Sequence, residues 1–314
     1  GDVFDIKTEV RKTVEVIEAA IQNSCAKTKI KKLPYPEITI QDHELDQYQI
    51  QKGYLYVLRV MKKGVPYEYL IHWREDSDQL IVFHNGAVAE GNVSVPVFQR
   101  HSWAKQLKTS SIFCMDPTLY LNGFLQIGWG IGKNEDYYLE NSSLILKKII
   151  AKMGISLENT AIYGTSAGGY LSILMGIYLR GAKVVADNAQ LDVRHWIYKD
   201  ALDSVLTFAF DNIGDALQYR ERFSIVDAFE KHHYVPKIYL HVNLCSQADN
   251  STQLVPFLQS AETMTSIQNY QPIEVILHYE PQKGHNGLDM DEAIAFLYRI
   301  LDSPKLERSF PHES

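Results

Sequence analysis

From Gln79 onward the chain alternates short, nearly continuous apolar runs with stretches of helical spacing. Gln79–Phe83, Ser111–Met115, Thr160–Tyr163, Lys183–Ala186, Lys237–Val242 and Ile273–Tyr279 read as strands, and Ser143–Lys152, Ala167–Arg180 and Asp289–Leu301 as helices. A strand that is apolar on both sides has to be covered on both faces. Helical crossovers supply that cover, so the pattern predicts an α/β fold with a doubly wound, mostly parallel sheet. Upstream, Tyr54–Val60 and Tyr67–Trp73 flank the turn signal Lys63-Gly64 and read as an antiparallel hairpin. Residues 6–26 place Val10, Val14, Ile17, Ala20 and Ile21 at helical spacing, before two prolines in Lys32–Gln41 interrupt the pattern. The organisation expected is an N-terminal helical extension over 1–50 and a sheet domain over 51–314. The stretch between the strands near 184 and 238 is too long for a plain crossover. Its aromatic-rich part, 193–235, reads as a helical cap inserted over the carboxyl edge of the sheet, with ordinary outer helices as the alternative.

One junction carries chemistry. Gly164-Thr165-Ser166-Ala167-Gly168 is a G-x-S-x-G pattern with a short strand before it and an amphipathic helix after it. That context marks a sharp strand–turn–helix that projects the serine oxygen from the sheet edge. Gly164 and Gly168 relieve crowding at the turn, and Gly169 lets the helix pack closer. The helix start brings unpaired amides and a positive dipole to the same place. Ser166 is therefore the candidate nucleophile. The competing reading is a glycine-rich helix entry with a capping serine.

With this elbow the chain resembles the α/β-hydrolase superfamily, over roughly residues 50 to 305. The resemblance implies a nucleophile, an acid and a histidine in that chain order. It places the histidine on a glycine-flanked loop after the last strand, which is where His285 stands, in Lys283-Gly-His285-Asn-Gly287. It draws the acid from the loop after the strand Lys237–Val242, which offers Asp249, with Asp187 and Asp192 as rivals. The acid's task is to hold the imidazole in the productive tautomer. An oxyanion hole needs two donors: the backbone N–H of Ala167 is one. His84-Asn85-Gly86-Ala87 resembles the family's His-Gly-Gly type loop with asparagine in the first glycine position, so Asn85 or Gly86 is expected to supply the second. His84 reads as an organiser of that loop, and His278, His232 and His233 as structural.

The resemblance implies an acyl-enzyme, formed on a small-molecule or carbohydrate-linked acyl ester and resolved by water. A sugar hydroxyl in place of water would make the chain an O-acyltransferase, and weak similarity to bacterial accessory-secretion and capsule-biosynthesis proteins supports that alternative. A non-catalytic hydrolase-fold binding protein is the third reading. Gly128-Trp-Gly-Ile-Gly132, followed by Tyr137 and Tyr138, either stacks on substrate rings or anchors loops, and Arg100, His101 and Trp103 are candidates for the same cleft. The three glycines do not form a dinucleotide fingerprint. No metal-ligand spacing is present, and a serine triad needs neither metal nor cofactor.

Composition narrows the partners. The chain has 31 basic and 38 acidic residues, a net charge of −7, so a broad polyanion-binding surface is not expected. Cys25, Cys114 and Cys245 are odd in number and far apart, which fits neither a disulfide framework nor a zinc knuckle. They suit a reducing, cytoplasmic setting. No apolar stretch is long enough for a membrane span. The opening Gly-Asp-Val-Phe-Asp does not read as a secretory signal, and with no initiator methionine a removed targeting segment stays open.

Overall fold

The computed structural model describes residues 28–88, 94–260, 264 and 267–302. The predicted helix over 6–26 lies outside the described residues. Eleven strands are seen among them: β1 (Lys29–Ile30), β2 (Glu37–Gln41), β3 (Leu55–Lys62), β4 (Val65–His72), β5 (Leu80–His84), β6 (Ser94–Val95), β7 (Ser110–Cys114), β8 (Thr160–Thr165), β9 (Lys183–Asp187), β10 (Lys237–Asn243) and β11 (Ile273–His278). Nine of these form one sheet in the order β11-β10-β9-β8-β5-β7-β4-β3-β2. β4 runs antiparallel to both neighbours, and the other pairings are parallel.

The hairpin β3–β4 closes through Lys63 (φ 50°) and Gly64 (φ 79°). Two consecutive positive φ values give the turn whose twist matches that of paired strands. β5 and β7, central in the sheet, are buried at every residue, the polar Ser110, Ser111 and His84 included. Part of the N-terminal extension is described. Its described part holds no α-helix, and Glu37–Gln41 joins the sheet as the edge strand beside β3. Its alternating half-buried pattern is that of a strand with one covered face.

Five helices of eight or more described residues flank the sheet: α1 (Tyr138–Met153), α2 (Ala167–Tyr178), α3 (Lys199–Ala209), α4 (Ile225–His232) and α5 (Met290–Asp302). Strand alternation sends neighbouring residues to opposite faces. Val184 meets Gly176 of α2, whereas Tyr239 and His241 meet Phe296 of α5. The two helices therefore cover opposite faces. α1 and α4 both pack against α2. The Asp289 N–H donates to Glu292 Oε2 at 2.9 Å, one half of a capping box at the start of α5.

The 193–235 insertion divides in two. α4 lies against α2 as a crossover helix between β9 and β10. The part before it, with α3 and several 3₁₀ turns, reaches over the carboxyl edge of the sheet, where Trp196, Tyr198, Asp200 and Ser204 face a cavity. Buried Arg222 fastens this part down, donating to the Ile131 carbonyl at 3.1 Å and the Asn134 carbonyl at 2.6 Å.

Candidate active site

Ser166 sits between β8 and α2 with φ 55° and ψ −125°. A side chain at Gly164 would collide with the Gly168 carbonyl, and one at Gly169 would come 2.6 Å from the Ala189 methyl. The tight turn therefore needs glycine at both places. A non-glycine residue at positive φ costs of order 1–3 kcal/mol and persists only where its surroundings hold it. The holding bonds are Ser166 N–H to the Asp187 carbonyl at 3.1 Å and Gln190 N–H to the Ser166 carbonyl at 3.3 Å. The Ser166 side chain makes no capping bond to α2, which removes the helix-cap explanation for this serine. The first amides of α2, Ala167 among them, begin here without intrahelical acceptors.

His285 lies on the loop after β11, and its Nδ1 is 2.6 Å from Asp249 Oδ2. Asp249 is buried and also accepts a short hydrogen bond from Ser246 Oγ. The rival acids are engaged elsewhere. Asp187 is fully buried, accepts the Leu288 N–H and the Tyr163 hydroxyl, and has its carboxyl pushed up by burial. Asp192 caps the turn Val193–His195 and pairs with Arg194 at 2.6 Å. His278 stays inside β11, His232 contacts Tyr178, and His233 ends α4 at positive φ.

The loop after β5 is more occupied than its sequence suggests. Asn85 is buried and spends its side chain on the Gly86 carbonyl and the Asp116 N–H. The Gly86 N–H donates to Gln99 Oε1 at 2.9 Å, and Gln99 Nε2 returns to the Ala87 carbonyl at 2.8 Å. His84 packs behind α2 against Met175 Sδ, and burial pushes its pKa down to about 3, so it is a neutral core histidine.

Ser166 and His285 open onto one cavity of about 930 Å³, with Gln99, Arg100, Trp196, Tyr198 and Asp200 along its walls. The Trp196 ring leans over His285 at 5.3 Å between centroids. Of the three residues expected near this cleft, Arg100 lines it and donates to Thr165 Oγ1 at 2.6 Å. His101 bonds the Phe98 carbonyl, and Trp103 packs on Phe83 and Tyr163. The Gly128–Gly132 loop is an anchor: Trp129 is fully buried, Gly130 N–H donates to Asp116 Oδ2 at 3.0 Å, and Tyr137 and Tyr138 are buried. Those three aromatics do not line the cavity, whereas Trp196 and Tyr198 of the cap do. Among the described residues no cluster of His, Cys, Asp and Glu is arranged to hold a metal, and no helix is long and apolar enough to cross a membrane.

Sequence reasoning missed the residues that bring the loops together. Asn243, fully buried at the end of β10, donates to the Glu280 carbonyl at 2.8 Å and the Gly284 carbonyl at 3.0 Å. Its Oδ1 accepts from Cys245 N–H at 3.1 Å and Glu280 N–H at 3.0 Å. One side chain thus ties the segment leading to Asp249 to the loop carrying His285. Asn188, at φ 41°, adds bonds to the His285 and Asn286 carbonyls and accepts the Asn243 N–H. Both asparagines sit at or just past the carboxyl end of an apolar strand, which was the available signal.

No protein-family model matches the chain, and no curated protein matches it. Solved structures do. The capsule O-acetyltransferase of Neisseria meningitidis serogroup A is 14% identical with a TM-score of 0.57, over 77% of this chain and 96% of that one. A glycosylation associate protein complex from Streptococcus agalactiae is 15% identical with a TM-score of 0.53, over 80% of this chain and 47% of that one. A prolyl endopeptidase is 18% identical with a TM-score of 0.54, over 82% of this chain and 39% of that one. Likeness at this level concerns the backbone, and together with the strand order, the elbow and the cap it shows that the chain has the α/β-hydrolase fold.

Proposed function

We propose that the chain is a serine-dependent acyl-transfer enzyme, acting as an esterase on a carbohydrate-linked ester. The observation that carries this reading is the His285–Asp249 bond on the same cavity as a strained serine with no capping role. Ser166 Oγ attacks the acyl carbonyl while its proton passes to His285 Nε2. Asp249 holds Nδ1–H, which fixes the tautomer and stabilises the imidazolium. The carbonyl oxygen becomes an oxyanion near the Ala167 N–H. The imidazolium proton then goes to the departing alcohol oxygen, leaving an ester on Ser166. Water, deprotonated by His285, attacks that ester, and the acid product departs with Ser166 regenerated.

The carbohydrate-linked part of the reading rests on the cavity walls. Trp196 and Tyr198 offer flat faces, and Asp200 and Gln99 offer hydrogen-bonding groups beside them, the combination that suits a ring bearing hydroxyls. The same walls leave room for an acceptor hydroxyl in place of water, so O-acyl transfer is the second reading. The backbone likeness to a capsule O-acetyltransferase favours keeping it. A binding role without catalysis would leave the bond between cavity-facing His285 and buried Asp249 without a purpose.

The test is a panel of short acyl esters, acetylated sugars and acetyl-coenzyme A, each assayed with and without a sugar acceptor. Esterase action predicts acid release independent of acceptor. Transfer predicts acetylated acceptor at the expense of free acid. No turnover on any of these by folded protein would count against both.

A further inference from the structure

Gln190 borders the Ser166 cavity and is otherwise enclosed by protein. Its Oε1 accepts the indole N–H of Trp129. An indole nitrogen only donates, so this contact decides which end of the carboxamide is which. The NH₂ group must face the other way, and it meets Ser166 Oγ at 3.4 Å. Trp129 cannot yield easily, because it is fully buried in a loop tied by Gly130 and Gly132 to Asp116 and Thr118. The Gln190 backbone is itself bonded to the Ser166 carbonyl.

A serine hydroxyl has one hydrogen and two lone pairs. A donor on one lone pair keeps the hydroxyl hydrogen from pointing toward it. The hydrogen is then left for the cavity side, where His285 stands.

We propose that Gln190 is a further catalytic residue, a donor that orients the Ser166 hydroxyl toward His285 and steadies Oγ as it gains negative charge, with Trp129 as its positioning residue. The proposal rests on the reading of Ser166 as nucleophile. It also accounts for a buried glutamine whose two ends reach two specific partners, at a position where an apolar side chain would pack without them.

The experiment compares the full chain with Gln190→Met and Trp129→Phe, using p-nitrophenyl acetate turnover and the rate of Ser166 labelling by a fluorophosphonate. Circular dichroism confirms folding of each variant. One hydrogen bond's contribution corresponds to about a threefold to tenfold loss. Gln190→Met is expected to lower kcat and the maximal labelling rate by that factor, with KM within twofold. Trp129→Phe is expected to do the same, and the double variant to be no slower than Gln190→Met, because the two act through one contact. A purely structural role would change the melting temperature and leave the kcat of the folded fraction unchanged. Unchanged kcat and labelling in Gln190→Met, or in Trp129→Phe if the former does not fold, overturns the proposal while the Ser166 reading stands. A wild-type chain that neither turns over ester nor labels at Ser166 overturns the nucleophile reading, and this proposal with it.

Discussion

Asn243→Asp is the substitution that most sharply tests how the site is assembled. The replacement is isosteric, so packing around the fully buried side chain is retained. The oxygen facing Cys245 N–H and Glu280 N–H keeps its role. The nitrogen facing the Glu280 and Gly284 carbonyls becomes an oxygen, and two donated bonds of 2.8 and 3.0 Å turn into acceptor–acceptor contacts. A buried group left without its partner costs about 1–3 kcal/mol. Glu280 and Gly284 are only half-buried, so the low part of that range applies to each, about 2–4 kcal/mol together. Urea unfolding followed by tryptophan fluorescence measures this directly. The functional effect should exceed the stability effect, because Gly284 adjoins His285 and the same side chain holds the segment leading to Asp249. Misplacing a reacting group by about 1 Å can cost on the order of a hundredfold. Ester turnover by the folded fraction should fall by about that factor. Stability within about 0.5 kcal/mol of wild type together with unchanged turnover would refute the claim that Asn243 joins the two loops.

Other outcomes follow from individual residues. Ser166→Gly should abolish turnover and raise stability by about 1 kcal/mol, because the positive φ no longer opposes a side chain; thermal unfolding reads this. Asp249→Asn should lower kcat by up to about 10⁴ while the fold survives, whereas Asp187→Asn, whose oxygen still accepts the Leu288 N–H, should leave kcat within tenfold, and steady-state kinetics on both decides which carboxylate serves His285. His84 binds its proton with a pKa near 3 when folded against about 6.5 unfolded, so between those values the unfolded chain holds more protons and stability falls as pH falls. From pH 7 to pH 5 this histidine should cost about 2 kcal/mol. The loss on acidification should shrink by that amount in His84→Gln in paired denaturant titrations, and equal losses in the two proteins would contradict a neutral buried histidine.

The fold was legible because its strands are apolar on both sides and its helices on one. That signal placed β5, β7, β8, β9, β10 and β11 within a residue or two, and it missed the two-residue strands β1 and β6. β2 escaped it: Glu37–Gln41 lies close to two prolines and is covered on one face only. Ser166 was legible because a strained turn needs glycine, and Asp249 and His285 were singled out through the chain order that the α/β-hydrolase resemblance implies. Trp129 was ambiguous from sequence, since a tryptophan between glycines serves an open cleft and a closed anchor equally well, and only its burial and its bond to Gln190 decide. Asn188, Gln190 and Asn243 were harder to read for a different reason. Their roles lie in hydrogen bonds between loops far apart in the chain, and an asparagine or glutamine past a strand end carries no periodic mark.

The proposed function stands on Ser166 being a nucleophile activated by the His285–Asp249 pair. Intact mass spectrometry after exposure to a fluorophosphonate, followed by peptide mapping, tests it most directly. A single adduct on Ser166 is expected in the wild-type chain, and a strongly slowed adduct in His285→Ala. A folded wild-type chain without an adduct, or with one on another residue, would contradict it.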